Sequence, residues 1–102
     1  MKAIIDKSEN PSKKFRVEIF DENNFHLKTI YFGAKGYSDY TLHKDNNRKE
    51  RYINRHQSRE NWNDPLTAGF WAVHLLWNKK TIRSSAKDIT ENFGIKVKLN
   101  LL

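Results

Sequence analysis

Apolar and polar residues alternate in three segments of the chain, and this period of two predicts three β-strands. The segments are 14–20, 25–32 and 95–101, and in each of them successive side chains point to opposite faces. Asp21 to Asn24 separates the first two segments with residues that favour a tight turn. We therefore predict an N-terminal hairpin and one C-terminal strand.

A segment rich in Arg, Lys, Glu and Gln predicts a helix from Asn46 to about Ser58. Asp45 is a suitable N-cap, and no Gly or Pro interrupts the segment. Its apolar content is limited to Tyr52 and Ile53, so a wide apolar stripe cannot hold it in place. We expect charge pairs or a partner to hold this helix.

The C-terminal half predicts two more helices. An Asp-Pro pair at 64–65 is typical of a helix start. Residues 66–77 are apolar on all sides, which is typical of a central helix. A third, short helix is predicted to begin at Thr81 or Ser84 and to stop before Gly94.

The order of these elements predicts an α+β fold in a single domain, residues 1–102. In this fold a small antiparallel or mixed sheet, made of the N-terminal hairpin and the C-terminal strand, packs on two to three helices. Residues 1–12 are polar after Ile5 and contain Pro11. We predict a flexible arm or an edge strand there.

Composition narrows the classes of partner and compartment. Lys and Arg total 19 against 12 Asp and Glu, which gives a net charge of +7 and favours nucleic acid, anionic membranes or acidic proteins as partners. Cysteine is absent, so disulfides and thiolate metal sites are excluded. No apolar run approaches the roughly 20 residues of a membrane-spanning helix, and the first six residues lack the core of a signal peptide.

Four arginines recur at helical spacing: Arg48, Arg51, Arg55 and Arg59. On one helix they would fall within a sector of about 80°. Such a row can bind the phosphates or carboxylates of a partner. It can equally be an internal latch in which the molecule's own carboxylates fasten loops to the helix. The carboxylates available for that latch are Asp39, Asp45, Glu60 and Asp64.

Aromatic residues near the row add possible stacking surface. Trp62 lies in the predicted loop before the second helix and is the tryptophan most suited to reach a partner. The candidate partner-binding residues, for protein or phosphate backbone, are Lys44, Arg48, Lys49, Arg51, Tyr52, Arg55, Arg59 and Trp62.

Candidate catalytic, metal and cofactor residues are not identified. The loop from Gly33 to Gly36 lacks the glycine pattern of dinucleotide and P-loop sites, and we predict a turn with positive φ there. The four histidines have no metal-ligand spacing. His43 with Asp45, or His56 with Glu60, could form an acid and base pair, but the several carboxylates of a metal nuclease are missing. We expect no enzymatic activity and no small-molecule substrate.

Residues 32 to about 82 carry a string of motifs. It contains FGAKGYSDYT at 32–41, the segment with the four arginines, TAGFW at 67–71 and LLWNK at 75–79. This half of the chain resembles a family of short uncharacterised proteins encoded by nucleocytoplasmic large DNA viruses. The resemblance implies a viral origin and assigns no catalytic role.

That implied origin suits a structural protein, so we expect a minor capsid or virion component first. Its partners would be neighbouring capsid or virion proteins, contacted through the arginines, Trp62 and the terminal strand at 99–102. The alternative is a small basic protein that binds nucleic acid such as DNA along the phosphate backbone without strong sequence preference. The expected locations are the virion and the host cytoplasm or nucleus.

Overall fold

The predicted α+β class is confirmed by a computed structural model, which describes residues 1–101. A four-stranded sheet consists of β1 (Lys2–Lys7), β2 (Lys13–Phe20), β3 (His26–Ala34) and β4 (Lys96–Asn100) in the order β3-β2-β1-β4. The pairs β1–β2 and β2–β3 are antiparallel, whereas β1 and β4 are parallel. The sheet is therefore mixed. Leu102, at the end of the predicted terminal strand, lies outside the described residues.

Residues 1–12 do contain a strand, but it is neither a flexible arm nor the predicted edge strand. Strand β1 lies in the interior of the sheet between β2 and β4, and its Ala3 and Ile5 are fully buried. The backbone of β1 is paired on both sides, which satisfies its donors and acceptors. Only two apolar side chains of this strand face the core, which is too few to show a clear alternation of apolar and polar residues in the sequence.

The predicted N-terminal hairpin is confirmed. Asp21 Oδ1 accepts hydrogen bonds from the backbone N–H groups of Asn23 at 2.9 Å and Phe25 at 3.0 Å, which is the expected side-chain-to-backbone turn. The register shifts between Ile19 and Phe20. Phe25, directly before β3, is left exposed, whereas Phe32 near the other end of the strand is buried.

In the described part of the chain, four α-helices follow or separate the strands: α1 (Tyr40–His43), α2 (Asn46–His56), α3 (Ala68–Trp71) and α4 (Ile82–Phe93). Helix α4 begins after the N-cap Thr81 and ends at Gly94, whose φ is 68°, as predicted. Within residues 1–101, no helix combines the length and apolarity needed to cross a membrane.

The second predicted helix starts later and is not continuous. Thr67, rather than Asp64, is its N-cap, because the Asp64 carboxylate accepts the N–H of Leu66 in a preceding turn. After Trp71 the helix widens into a π-helical segment, Ala72–Leu76. Such segments are rare and have no strong sequence signature.

The core lies between one face of the sheet and the helices α3 and α4 with the π-helical segment. Trp71, Leu75 and Ile89 from the helical layer meet Ile5 and Val17 of the sheet, and all five are completely buried. This layer fixes Trp77, the residue directly after the π-helical segment, at the side of the molecule where α2 lies.

Candidate functional site

Helix α2 carries three of the four arginines and begins where the sequence predicts. The Asp45 side chain accepts the N–H of Asn47 at 2.9 Å and of Arg48 at 3.3 Å. The hydrogen bond from the Arg48 backbone is the largest cause that holds the pKa of Asp45 below its ordinary value. The positive end of the helix dipole also stabilises a carboxylate at this position.

The single helical face with four arginines is wrong, because α2 ends at His56. Arg59 lies in the following turn, where its backbone N–H donates to the carbonyl of His56 at 3.0 Å. The remaining three, Arg48, Arg51 and Arg55, fall within about 60° of the helix circumference. All four side chains belong to exposed residues.

The side of α2 next to the arginines is attached to the molecule by aromatic packing. The ring of Tyr52 stacks on Trp77 with centroids 4.2 Å apart and an interplanar angle of 3°, and His56 covers its other face at 4.3 Å. Burial raises the pKa of Tyr52 to about 12. Helix α2 has no fully buried residue, so this stack supplies contact that an apolar stripe would otherwise give.

Lys49 also faces inward. Its Nζ donates to the carbonyl of Asn78 at 2.6 Å and lies 4.9 Å from the ring centroid of Tyr40, a cation–π contact. Burial is the main cause that lowers the pKa of Lys49. Two of the eight candidate residues, Lys49 and Tyr52, therefore hold α2 in place.

The internal-latch hypothesis is wrong for the described residues, because each of the four carboxylates has another partner. Asp39 accepts from Lys14 Nζ at 2.7 Å. Asp45 caps α2, and Asp64 accepts from Leu66 N at 3.0 Å. Glu60 accepts from Trp62 Nε1 at 2.8 Å. Within residues 1–101, none of the four arginines forms an ion pair with a carboxylate.

Trp62 is half-buried and hydrogen-bonded through its ring N–H and its carbonyl. Its Nε1 donates to Glu60, and its carbonyl accepts from His74 Nε2 at 2.7 Å. Gly69 makes this arrangement possible, since a Cβ at position 69 would lie 2.6 Å from Glu60 Oε2. The segment after α2 is thereby fastened to α3 and the π-helical segment, and Trp62 offers only part of its ring to a partner.

A groove of about 440 Å³ lies between α2 and the open end of the β2–β3 hairpin, where β2 begins and β3 ends. Its floor includes Leu76, Trp77 and Tyr52, and Arg48 and Arg55 stand on the helical side. Gly33, with φ of 79°, allows the hairpin to approach this floor closely. A Cβ at this position would lie only 2.9 Å from Leu76 Cδ1.

Lys13, Lys14, Tyr37 and Asp39 form the opposite side of the groove. Asp39 is the carboxylate that lines it, and the ion pair with Lys14 neutralises that charge. Lys13, Arg48 and Arg55 remain without a carboxylate partner among residues 1–101, so the groove is positively charged. Sequence reasoning missed Lys13, which lies far from α2 along the chain, and Tyr37, which belongs to the segment 32–41 but was not among the candidate contact residues.

Within residues 1–101, the members of both candidate acid and base pairs lie close together, and each carboxylate also accepts another hydrogen bond. His43 Nδ1 accepts the backbone N–H of Asp45 at 2.9 Å, while the Asp45 carboxylate is engaged as the cap of α2. His56 Nδ1 lies 3.9 Å from Glu60 Oε1, and that carboxylate is bound to Trp62. No three His, Asp or Glu side chains within residues 1–101 form a group that could hold a metal ion.

One protein-family model matches the chain, over residues 3–56, and its description is a family of unknown function, DUF5754. The match covers the first three strands, α1 and α2, and so includes most of the groove. It spans more than half of the chain, which therefore belongs to this family. No curated protein and no solved structure is significantly similar to the chain.

Proposed function

We propose that this DUF5754 protein binds nucleic acid through the exposed arginines on α2 and directly after it. The observation that carries the proposal is that Arg48, Arg51, Arg55 and Arg59 are exposed and have no carboxylate partner within residues 1–101. Lys44 is also exposed beside them. We call these five residues the cationic surface.

Several features support phosphate as the group that this surface binds. Guanidinium groups bind phosphate oxygens through paired hydrogen bonds and stay charged at any physiological pH. The net charge of +7 adds a long-range attraction for a polyanion. The aromatic stack of Tyr52 on Trp77 fixes α2, so the arginines are presented from a rigid support.

The test is a titration of labelled DNA with the purified protein at several salt concentrations. Four phosphate contacts give a slope of log affinity against log salt of roughly −3.6 on a duplex and about −2.8 on a single strand. Replacing one arginine, as in Arg51→Ala, is expected to reduce the magnitude of the duplex slope by about 0.9.

The matched control is Arg83→Ala on α4, which removes one exposed arginine outside the cationic surface. It changes the net charge by the same amount as Arg51→Ala and should leave the slope unchanged. The proposal is overturned if the protein shows no affinity for DNA at low salt, or if Arg83→Ala and Arg51→Ala weaken binding equally.

A second candidate is a minor virion component that acts through protein contacts, with the virion and the infected host cytoplasm or nucleus as its locations. The resemblance to proteins of large DNA viruses supports it, and so do exposed apolar side chains. Phe25 is 68% and Leu42 is 64% exposed, and the outer edge of β4 pairs with no strand among residues 1–101.

This second candidate is tested by quantifying the protein in purified virus particles. A fixed ratio to the major coat protein would support it, and detection only in infected cytoplasm would count against it.

The exposed lysines Lys96 and Lys98 on β4 are typical of an edge that avoids unspecific strand pairing.

A further inference from the structure

We propose that the groove beside α2 binds one unpaired nucleotide of a single-stranded nucleic acid, with the base in the groove and the neighbouring phosphates on its cationic rim. The proposal rests on the function proposed above and specifies the form of nucleic acid. It predicts a preference for single strands over duplexes.

The size and floor of the groove suit a planar base better than a bare phosphate. A volume of about 440 Å³ lies within the usual range for small-ligand sites. Ala72 and Leu76 line the groove together with the rings of Tyr52 and Trp77. An apolar and aromatic floor gives a phosphate no favourable contact, whereas a nucleobase gains by burial and by contact with the rings.

The charges stand around this floor. Arg48 and Arg55 are seven residues apart on α2, roughly 10 Å along its axis, and Lys13 faces them from the hairpin. These three cations have no carboxylate partner in the described part of the chain, and Asp39 is neutralised by Lys14 at 2.7 Å. A chain of phosphates entering and leaving the groove would meet a cation on either side.

Tyr37 is the ring that is free to stack on a base. It lines the groove and is 74% exposed, whereas both faces of Tyr52 are already covered by Trp77 and His56. In a duplex the bases are stacked on each other and present only their edges. Only an unpaired base can therefore lie against Tyr37.

The experiment compares three labelled oligonucleotides of equal length at one salt concentration: a single strand of thymidines, its duplex with deoxyadenosines, and an abasic strand. The single strand is expected to bind at least about 5-fold more tightly than the abasic strand, since stacking on one base accounts for that factor or more. Unlabelled polyglutamate serves as a competitor of similar charge without bases.

Variants locate the base. Tyr37→Ala is expected to weaken binding of the thymidine strand by about 5-fold or more and to leave the abasic strand and the duplex unchanged. Tyr37→Phe keeps the ring and should bind as the wild type does. Phe25→Ala removes an equally exposed aromatic residue outside the groove and should have no effect.

The outcomes separate the two proposals. The nucleotide site is overturned if the abasic and thymidine strands bind with equal affinity and Tyr37→Ala does not change that affinity. Backbone binding by the cationic surface would remain intact. Displacement of DNA by polyglutamate at equal charge concentration overturns both proposals, because it indicates an acidic protein as the partner. Absence of binding to every oligonucleotide at low salt overturns the function itself.

Discussion

The rings of Tyr52 and Trp77 are stacked, with their centroids 4.2 Å apart and an interplanar angle of 3°. This contact joins α2 to Trp77, the residue that directly follows the π-helical segment. Helix α2 itself has no fully buried residue. The exposed arginines are thus placed by an aromatic stack, and the position of the whole cationic surface depends on it.

Removing the Tyr52 ring should loosen α2. Tyr52→Ala deletes a half-buried aromatic side chain that stacks on two neighbours, so we expect a loss of about 2 to 3 kcal/mol in the free energy of unfolding. Tyr52→Phe keeps both stacks and should change stability by less than about 0.5 kcal/mol. Urea denaturation of the three proteins measures this, and equal midpoints would contradict it.

Tyr52 should also make stability sensitive to alkaline pH. Burial raises its folded-state pKa from 10.0 to about 12, so the neutral phenol favours the folded state. This contribution is complete below about pH 10 and is lost as the pH rises towards 12. The free energy of unfolding of the wild type relative to Tyr52→Phe should therefore fall over this interval, which denaturation at several alkaline pH values measures. Parallel curves would disprove it.

The ion pair between Lys14 and Asp39 should stabilise the wall of the groove. The Nζ–Oδ2 distance is 2.7 Å, and the side chains are only 16% and 4% exposed. Lys14→Met leaves a buried carboxylate without its cation, and we expect a loss of about 3 kcal/mol. Lys13→Met is the matched control, because Lys13 has no ion pair within residues 1–101 and should change stability by less than about 0.5 kcal/mol. Thermal unfolding of both variants provides the comparison.

Gly69 and Glu60 should be energetically coupled. In Gly69→Ala the new Cβ would lie 2.6 Å from Glu60 Oε2, so the carboxylate moves and its hydrogen bond with Trp62 is lost, at about 1 kcal/mol. In a Glu60→Ala background the same change meets no carboxylate and should stabilise α3 by about 0.5 to 1 kcal/mol. A double-mutant cycle in urea measures the difference, and additive effects would refute the coupling.

Protonation of His74 in mild acid should reduce the free energy of unfolding. Burial lowers its pKa below the ordinary 6.5, although the hydrogen bond to the Trp62 carbonyl acts in the opposite direction. The neutral ring is thus favoured in the folded state, so its contribution is complete above about pH 6.5 and is lost as the pH falls below that value. His74→Gln should reduce this dependence, and an NMR titration of the His74 ring checks the cause directly.

Local signals in the sequence are those that the structure bears out most fully. Asp45 and Thr81 cap helices where they were expected, and Gly94 ends α4. The hairpin is also as predicted. Each of these features depends on residues within a few positions of one another, so their chemistry alone is sufficient to specify the backbone.

Features that depend on distant residues were not predictable in the same way. Strand β1 is interior because it pairs with β4, where Lys2 lies opposite Lys96, and no local pattern records such a pairing. The inward direction of Lys49 depends on the position of the Asn78 carbonyl. The groove likewise brings Lys13 of β2 to α2, and the two are far apart along the chain.

The π-helical segment has a consequence for how this protein can change in length. A π-helical turn closes its hydrogen bonds over five residues rather than four, so it holds one residue more than an α-helical turn in the same place. The residues after the segment therefore keep their positions if one residue is deleted from Ala72–Leu76 and α-helical winding is restored. The chain can shorten by one residue at this place while Trp77 keeps its partner ring and the groove keeps its floor.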